Sequence, residues 1–188
     1  MRELREKPQL TIEEAIREAL NKLTKFSGRS RRSEYWWCAL AVFISNIVLG
    51  FIPLIGSIGS LFLALAMIPL TFRRLHDTGR SGWWWGVEAI FGICFTGGLI
   101  AYLVSVVLAG DIPTDDDMKL LKFLFMTFVN PYIIAGLLFL LVYRIVMLVF
   151  LCQDSQPEIN KYGESPKYTI ELLYLCLVKK PISSDAIR

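Results

Sequence analysis

The sequence predicts an all-α fold: a four-span transmembrane helical bundle with an N-terminal amphipathic interfacial helix and a cytoplasmic C-terminal tail. Three observations carry that prediction. The 188-residue chain is 54% hydrophobic with a positive mean hydropathy, outside the range of ordinary soluble domains. Its apolar residues gather into runs that approach the about 20 residues needed to cross a hydrocarbon core. Lysine and arginine gather at the ends of alternate runs, as they do where loops face the cytoplasm.

The first element is the segment "TIEEAIREALNKL", where Thr11 and Glu14 have capping-box spacing. Ile12, Ile16, Leu20 and Leu23 fall on one helical face, and Glu13, Arg17, Glu18 and Lys22 take the others. This is the pattern of a helix lying on a membrane surface or on the protein's own cytoplasmic loops. A cleaved signal peptide is not expected, because the first long apolar run begins only at Tyr35.

Residues 1–34 are therefore read as a cytoplasmic amphipathic helix and basic segment, 35–152 as the membrane domain, and 153–188 as a cytoplasmic tail. The spans are placed at about 36–54, 56–72, 83–108 and 132–152. "GSIGS" is expected to turn the chain between the first two. The return helix must begin before Leu61, since twelve residues at about 1.5 Å each do not cross. Between the third and fourth spans, "AGDIPTDDDMK" reads as a polar loop and "LLKFLFMTFVNP" as an interfacial helix ending at its proline. In the tail, "QDSQPEINKYGESPKY" is turn-rich, "TIELLYLCLV" is apolar enough to dock, and "SSDAIR" is frayed.

Orientation follows from the cations. Nine lie in the first 32 residues, three between Arg73 and Arg80, five after Cys152, and only Lys119 and Lys122 between Ala109 and Pro131. Both termini are thus expected in the cytoplasm. The five tryptophans, Trp36, Trp37, Trp83, Trp84 and Trp85, then fall at the cytoplasmic interface, where an indole buries its ring and keeps its N–H near headgroups.

Three blocks carry a resemblance: "FSGRSRRSEYWW" (Phe26 to Trp37), "RRLHDTGRSGWW" (Arg73 to Trp84) and "NKYGESP" (Asn160 to Pro166). In order and spacing they resemble the signature blocks of the YhaH-like inner-membrane family of bacteria, a family of unknown function. The resemblance covers roughly Phe26 to Pro166. It implies a small multi-span protein of the bacterial inner membrane and supplies no reaction or ligand. The chain departs from the compact family pattern by extra length between Trp85 and Asn160 and by an extension after Pro166.

The basic blocks lie on one predicted side of the membrane. Arg29, Arg31, Arg32, Arg73, Arg74 and Arg80, with His76, Asp77, Trp36, Trp37, Trp83 and Trp84, form a candidate collar at headgroup depth. Each cation near an anionic leaflet contributes about 1 kcal/mol, and arginine's planar fork suits phosphate. The collar is read as a topology determinant, an anionic-lipid or phosphorylated-ligand site, or a docking surface for a protein partner. His76 beside Asp77 invites an acid–base reading, but adjacent residues on a helix do not face each other and no nucleophile completes a set. Asp77 is expected instead to cap a helix or to pair with a collar arginine.

Glu88 lies about 7 to 8 Å past Trp83, and Arg144 about 12 Å before Cys152, at 1.5 Å per residue. A charge near a helix centre costs roughly 2.5 to 3.5 kcal/mol, so two at similar depth are expected to pair. Asn46 reads as an interhelical contact, Gly82 and Gly86 as a close-approach pair, and Tyr162 as a ring that stacks on a collar arginine. One histidine and four scattered cysteines, Cys38, Cys94, Cys152 and Cys176, give no metal site or cofactor and no expected disulfide. A net charge of +3 is too small for nucleic acid. The functional reading is a non-enzymatic scaffold or accessory protein that binds anionic lipid or a protein partner through the collar, with a homo-oligomer as a further candidate assembly. A transporter using Glu88, Arg144 and Asn46 is the alternative, and an enzyme acting on a lipid phosphate comes third.

Overall fold

The computed structural model describes residues 3–109 and 117–171. Most of the acidic loop before Asp117, and the tail beyond Glu171 including most of "TIELLYLCLV", Cys176 and "SSDAIR", lie outside the described residues. In chain order the elements are β1 (Glu3–Glu6), α1 (Ile12–Asn21), α2 (Arg32–Leu49), α3 (Ile55–Asp77), α4 (Trp83–Ala109), α5 (Asp117–Phe128), α6 (Pro131–Cys152) and β2 (Tyr168–Glu171). They form two compact units: Met1–Arg80 with Gln153–Arg188, and Ser81–Cys152.

In the first unit, α1 starts at the capping box read from the sequence. The Glu14 amide donates to Thr11 Oγ1 at 3.3 Å, and Glu14 Oε2 accepts from the Thr11 amide at 2.9 Å. Ala15 is fully buried where α1 meets α2, and the Cys38 thiol donates to the Ala15 carbonyl. Ile12, Leu20 and Leu23 stay exposed, an apolar stripe left over after that contact.

α2 and α3 form a hairpin, and its turn comes earlier than expected. α2 stops at Leu49, residues 50–54 turn the chain with Leu54 at φ 62°, and α3 begins at Ile55. "GSIGS" is therefore the first part of the return helix rather than the loop. Gly56 is required there, because a Cβ would stand 1.9 Å from the Leu49 carbonyl oxygen. α3 runs on through "RRLHD", beyond the end expected for the second span at about residue 72. No helix breaker occurs between Pro69 and Gly79, so the polar residues simply continue the coil. It ends in a Schellman motif: the Gly79 amide bonds the His76 carbonyl, the Arg80 amide bonds that of Leu75, and Gly79 takes φ 77°.

The two ends of this unit are joined by a ribbon that the all-α expectation omitted. β1 and β2 pair antiparallel, Glu3 opposite Glu171 and Glu6 opposite Tyr168, and the Lys7 amide continues the ladder to the Lys167 carbonyl. Four-residue strands, "ELRE" and "YTIE", are too short to show a period.

In the second unit α4 packs along α6 through aromatic rings. Phe91 meets Phe139 with centroids 4.2 Å apart, and Trp84 meets Phe150 at 5.1 Å. Gly136 lies under Phe95, where a Cβ would be 2.0 Å from the ring. α5 stops at Phe128, and α6 starts at Pro131, a residue preorganised for the first helical position. The Asn130 side chain caps α6 by accepting from the Tyr132 amide.

Among the described residues three helices, α3, α4 and α6, are long and apolar enough to cross a membrane. α2 is shorter in its apolar part: Arg32 and Glu34 occupy its first turn, and Tyr35 to Leu49 reaches about 22 Å at 1.5 Å per residue.

Candidate functional site

The expected collar arginines divide into two groups, and one faces inward. Asp77, the last residue of α3, is fully buried. It accepts from Arg29 Nε at 2.9 Å and from Arg74 Nη1 at 2.6 Å, and the Ser155 hydroxyl donates to it as well. Arg29 then spends its remaining donors on the tail. Nη1 reaches the carbonyls of Glu158 at 2.9 Å and Gly163 at 3.2 Å, and Nη2 those of Gln156 and Asp77. Arg74 Nη2 donates to the Gln153 carbonyl, and the Gln156 amide returns a bond to the Asp77 carbonyl. Arg29 and Arg74 are 1% and 0% exposed in their side chains, so they are not presented to headgroups.

His76 completes this latch without joining Asp77. Its ring stacks on Tyr162 with centroids 3.7 Å apart and planes 7° from parallel, and Nδ1 lies 3.2 Å from the Gly28 carbonyl. Tyr162 thus stacks on the histidine and not on an arginine. Asn160 donates to the His76 carbonyl at 3.0 Å and accepts the Tyr162 amide at 2.9 Å, and Gly163, at φ 123°, closes the turn. All three signature blocks meet here. Their polar residues fasten the tail to the end of α3, and their carboxylate and imidazole are occupied by structural partners.

Arg73 also points inward, with Nη2 3.5 Å from Glu34 Oε1 and both side chains under 5% exposed. Arg80 stays nearer the surface, donating to the Gln153 side chain and, at 3.5 Å, to the Thr78 carbonyl.

The second group lines a cleft of about 510 Å³ in the same unit. Arg31, Arg32, Ser33, Trp36, Trp37 and Leu40 come from the start of α2, Glu6 and Gln9 from the N-terminal segment, and Asp154 and Lys167 from the tail. Arg31 holds the N-terminal segment through the Pro8 carbonyl. Lys167 bridges the chain ends, 2.6 Å from Asp154 Oδ2 and 3.1 Å from Glu6 Oε1. Burial works to raise the Asp154 pKa. The hydrogen bonds from Lys167, the Ser155 amide and the Tyr168 hydroxyl outweigh it and hold the carboxyl below the usual aspartate range. Bonding to Asp154, then to Tyr168, raises Lys167 above the usual lysine range. Asp154 and Lys167 were missed by the sequence reading, and no local pattern marks them, since they are positioned by the long-range contacts of the latch and the β1–β2 ribbon.

In the second unit, Arg144 Nε lies 2.6 Å from Glu88 Oε1. Glu88 is 8% exposed in its side chain and Arg144 76%. Trp83 is exposed at the start of α4, and Trp84 accepts a hydrogen bond from the Tyr143 hydroxyl at its carbonyl, 2.7 Å away. Asn46, in the first unit, donates to the Val42 carbonyl of its own helix at 3.0 Å.

Comparison with known proteins gives a consistent assignment. The description "Protein of unknown function (DUF805)" matches residues 23–164. "Inner membrane protein YhaI" of Escherichia coli (strain K12) is 36% identical over 151 residues, covering 76% of this chain and 86% of that protein. "Inner membrane protein YhaH" of the same strain is 38% identical over 87 residues, 40% of this chain and 69% of that protein. No solved structure matches the chain. With its three blocks gathered into one latch and most of its length inside the matched region, the chain belongs to the DUF805 family of inner-membrane proteins of unknown function.

Proposed function

We propose that this protein is a non-enzymatic, four-span inner-membrane scaffold whose cytoplasmic cap binds anionic phospholipid headgroups in the Arg31–Arg32–Lys167 cleft. The observation that carries the reading is the layering of that cleft. Arg31 and Arg32 line it at the start of α2, and Trp36, Trp37 and Leu40 follow in the direction in which α2 turns apolar. An anionic lipid has the same order, phosphate above and glycerol and acyl chain below.

The topology rests on the ribbon. β1 precedes α2 and β2 follows α6, yet the two strands are hydrogen-bonded, which supports placing both ends on one side with an even number of crossings between them. Taking α2 as the fourth crossing satisfies that parity. The hairpin turn supports it, because Phe51, Leu54 and Ile55 are 83%, 76% and 68% exposed and need an apolar surround. The cation bias then puts both ends in the cytoplasm.

Against transport, Glu88 and Arg144 neutralise each other, and the Asn46 amide is spent on its own helix. Against lipid-phosphate chemistry, Asp77 is saturated by donors and His76 is covered by Tyr162.

The test is native mass spectrometry of the protein from phosphatidylglycerol-containing nanodiscs, comparing wild type with Arg32→Gln and Asp154→Asn. One interfacial cation is worth about 1 kcal/mol, so Arg32→Gln should lower lipid retention roughly fivefold, more at low salt. Asp154→Asn removes a competing carboxylate and should raise it. Equal retention of phosphatidylglycerol by all three proteins would discard the headgroup site.

A further inference from the structure

The Glu88–Arg144 pair sits at one end of an open groove on the second unit, about 740 Å³, floored by α4 and walled by α6. Two features of this groove have no explanation within one chain. Gly92 and Gly97 lie along it, and a Cβ at either would meet nothing within 4 Å. Elsewhere in the same unit a glycine makes room for a ring, as Gly136 does for Phe95. Glycine weakens a helix interior, so Gly92, on one open face with Ala89 and Thr96, calls for something outside the chain that approaches closely. The other feature is Arg144. Its side chain is 76% exposed on a helix apolar enough to span a membrane, and among the described residues Glu88 is its one ion-pair partner, engaged through Nε. Its Nη groups point to a second acceptor in an environment that supplies none from lipid tails.

We infer that the groove is filled by α4 of a second copy of this chain, forming a twofold dimer inside the membrane. An isologous interface repeats each contact, so a patch carrying both signs is complementary to itself. Glu88 and Arg144 of one copy are such a patch. Two neutral pairs related by the twofold axis alternate in sign, each arginine placing its Nη groups on the carboxylate of the other copy while keeping its own. The small residues Ala89, Gly92 and Thr96 let the two α4 helices approach, and Ile93 and Ile100 fill the groove beyond them. A partner helix with no acidic group at this depth would leave both arginines short of an acceptor. That favours a second copy over an unrelated apolar helix.

The inference does not depend on the headgroup cleft, which lies in the other unit. Its test uses the full-length chain with native cysteines replaced, in native membranes. A single cysteine introduced by Gly92→Cys should form an intermolecular disulfide on mild oxidation. Val87→Cys, on the far side of α4 at 100° per residue, should remain monomeric. The substituted Gly92 faces open space, so this variant folds whatever the role of the ion pair.

The second arm co-expresses two differently tagged variants, Glu88→Arg and Arg144→Glu. Each alone carries like charges, whereas mixed dimers restore opposite pairs between copies. Unlike tags should co-purify at least fivefold above like tags. No disulfide at Gly92→Cys, together with monomer masses in native mass spectrometry of the wild type, overturns the dimer. A disulfide at Gly92→Cys without preferential pairing of the unlike variants overturns the charge exchange and leaves only the small-residue contact.

Discussion

Replacing Asp77 with alanine should release the C-terminal tail while leaving the membrane helices intact. The carboxylate is fully buried and accepts from Arg29 at 2.9 Å, from Arg74 at 2.6 Å and from Ser155. Removing one partner of a buried ion pair costs about 3–5 kcal/mol, because the remaining charge is stranded away from water. Arg29 keeps the carbonyls of Gln156, Glu158 and Gly163, and Arg74 keeps that of Gln153, which puts the loss near the lower end, about 3 kcal/mol. At 1.36 kcal/mol per decade the opening equilibrium of the tail should shift by roughly two orders of magnitude. Hydrogen exchange in nanodiscs reads this directly at the amides of Gln156 and Gly163, which bond Asp77 and Asn160. Asp77→Asn keeps the shape and one acceptor and should fall between. If these amides in Asp77→Ala exchange at the wild-type rate, the latch is not what holds the tail.

Two further outcomes follow from particular contacts. Gly56→Ala places a Cβ 1.9 Å from the Leu49 carbonyl and should destabilise the α2–α3 hairpin by about 1–3 kcal/mol; Gly98→Ala, which meets nothing within 4 Å, should not. A thermal-shift comparison in one detergent decides it, and equal midpoints would mean that the turn relaxes freely. The Lys167–Asp154 contact should persist from weakly acid to strongly alkaline pH. A depressed Asp154 pKa gives stability that is present above the ordinary aspartate value and lost as pH falls through the folded one. The raised Lys167 pKa gives stability that is present below the ordinary lysine value and lost as pH rises through the folded one. Exchange at the β2 amides should therefore accelerate below about pH 4, once aspartate protonates, and a midpoint near neutrality would assign the ribbon's stability to some other group.

Local signals were the readable ones. Thr11 and Glu14 start α1 with nothing beyond four consecutive residues, whereas the end of α3 was placed at Phe72 and the helix runs five residues further, to Asp77. Depth arithmetic brought Glu88 and Arg144 to a similar level, and they meet at 2.6 Å. The direction of Arg29 and Arg74 was readable only in the expected pairing of Asp77 with a collar arginine, because their other acceptors are carbonyls of Gln153, Gln156, Glu158 and Gly163, and a carbonyl has no signature in side-chain sequence. A basic cluster between apolar runs then reads as outward-facing by default. The β1–β2 ribbon was hidden for a related reason: each strand is stable only against a partner some 160 residues away.

That long-range pairing has a consequence for the order of synthesis. The first unit is interrupted by the second: it opens with the first 80 residues and closes only with residues after Cys152. As the chain leaves the ribosome, Arg29, Arg74 and Asp77 emerge early, while the Gln153–Gly163 carbonyls that complete them arrive after every membrane helix has been made. Domains ordinarily fold in the order in which they are translated. Here the first-made cap gains its last hydrogen-bond partners only after the last of these helices has been made. A chain truncated before Gln153 would keep its apolar helices and the pairing of Arg29 and Arg74 with Asp77, and would lose every tail carbonyl that completes those two arginines.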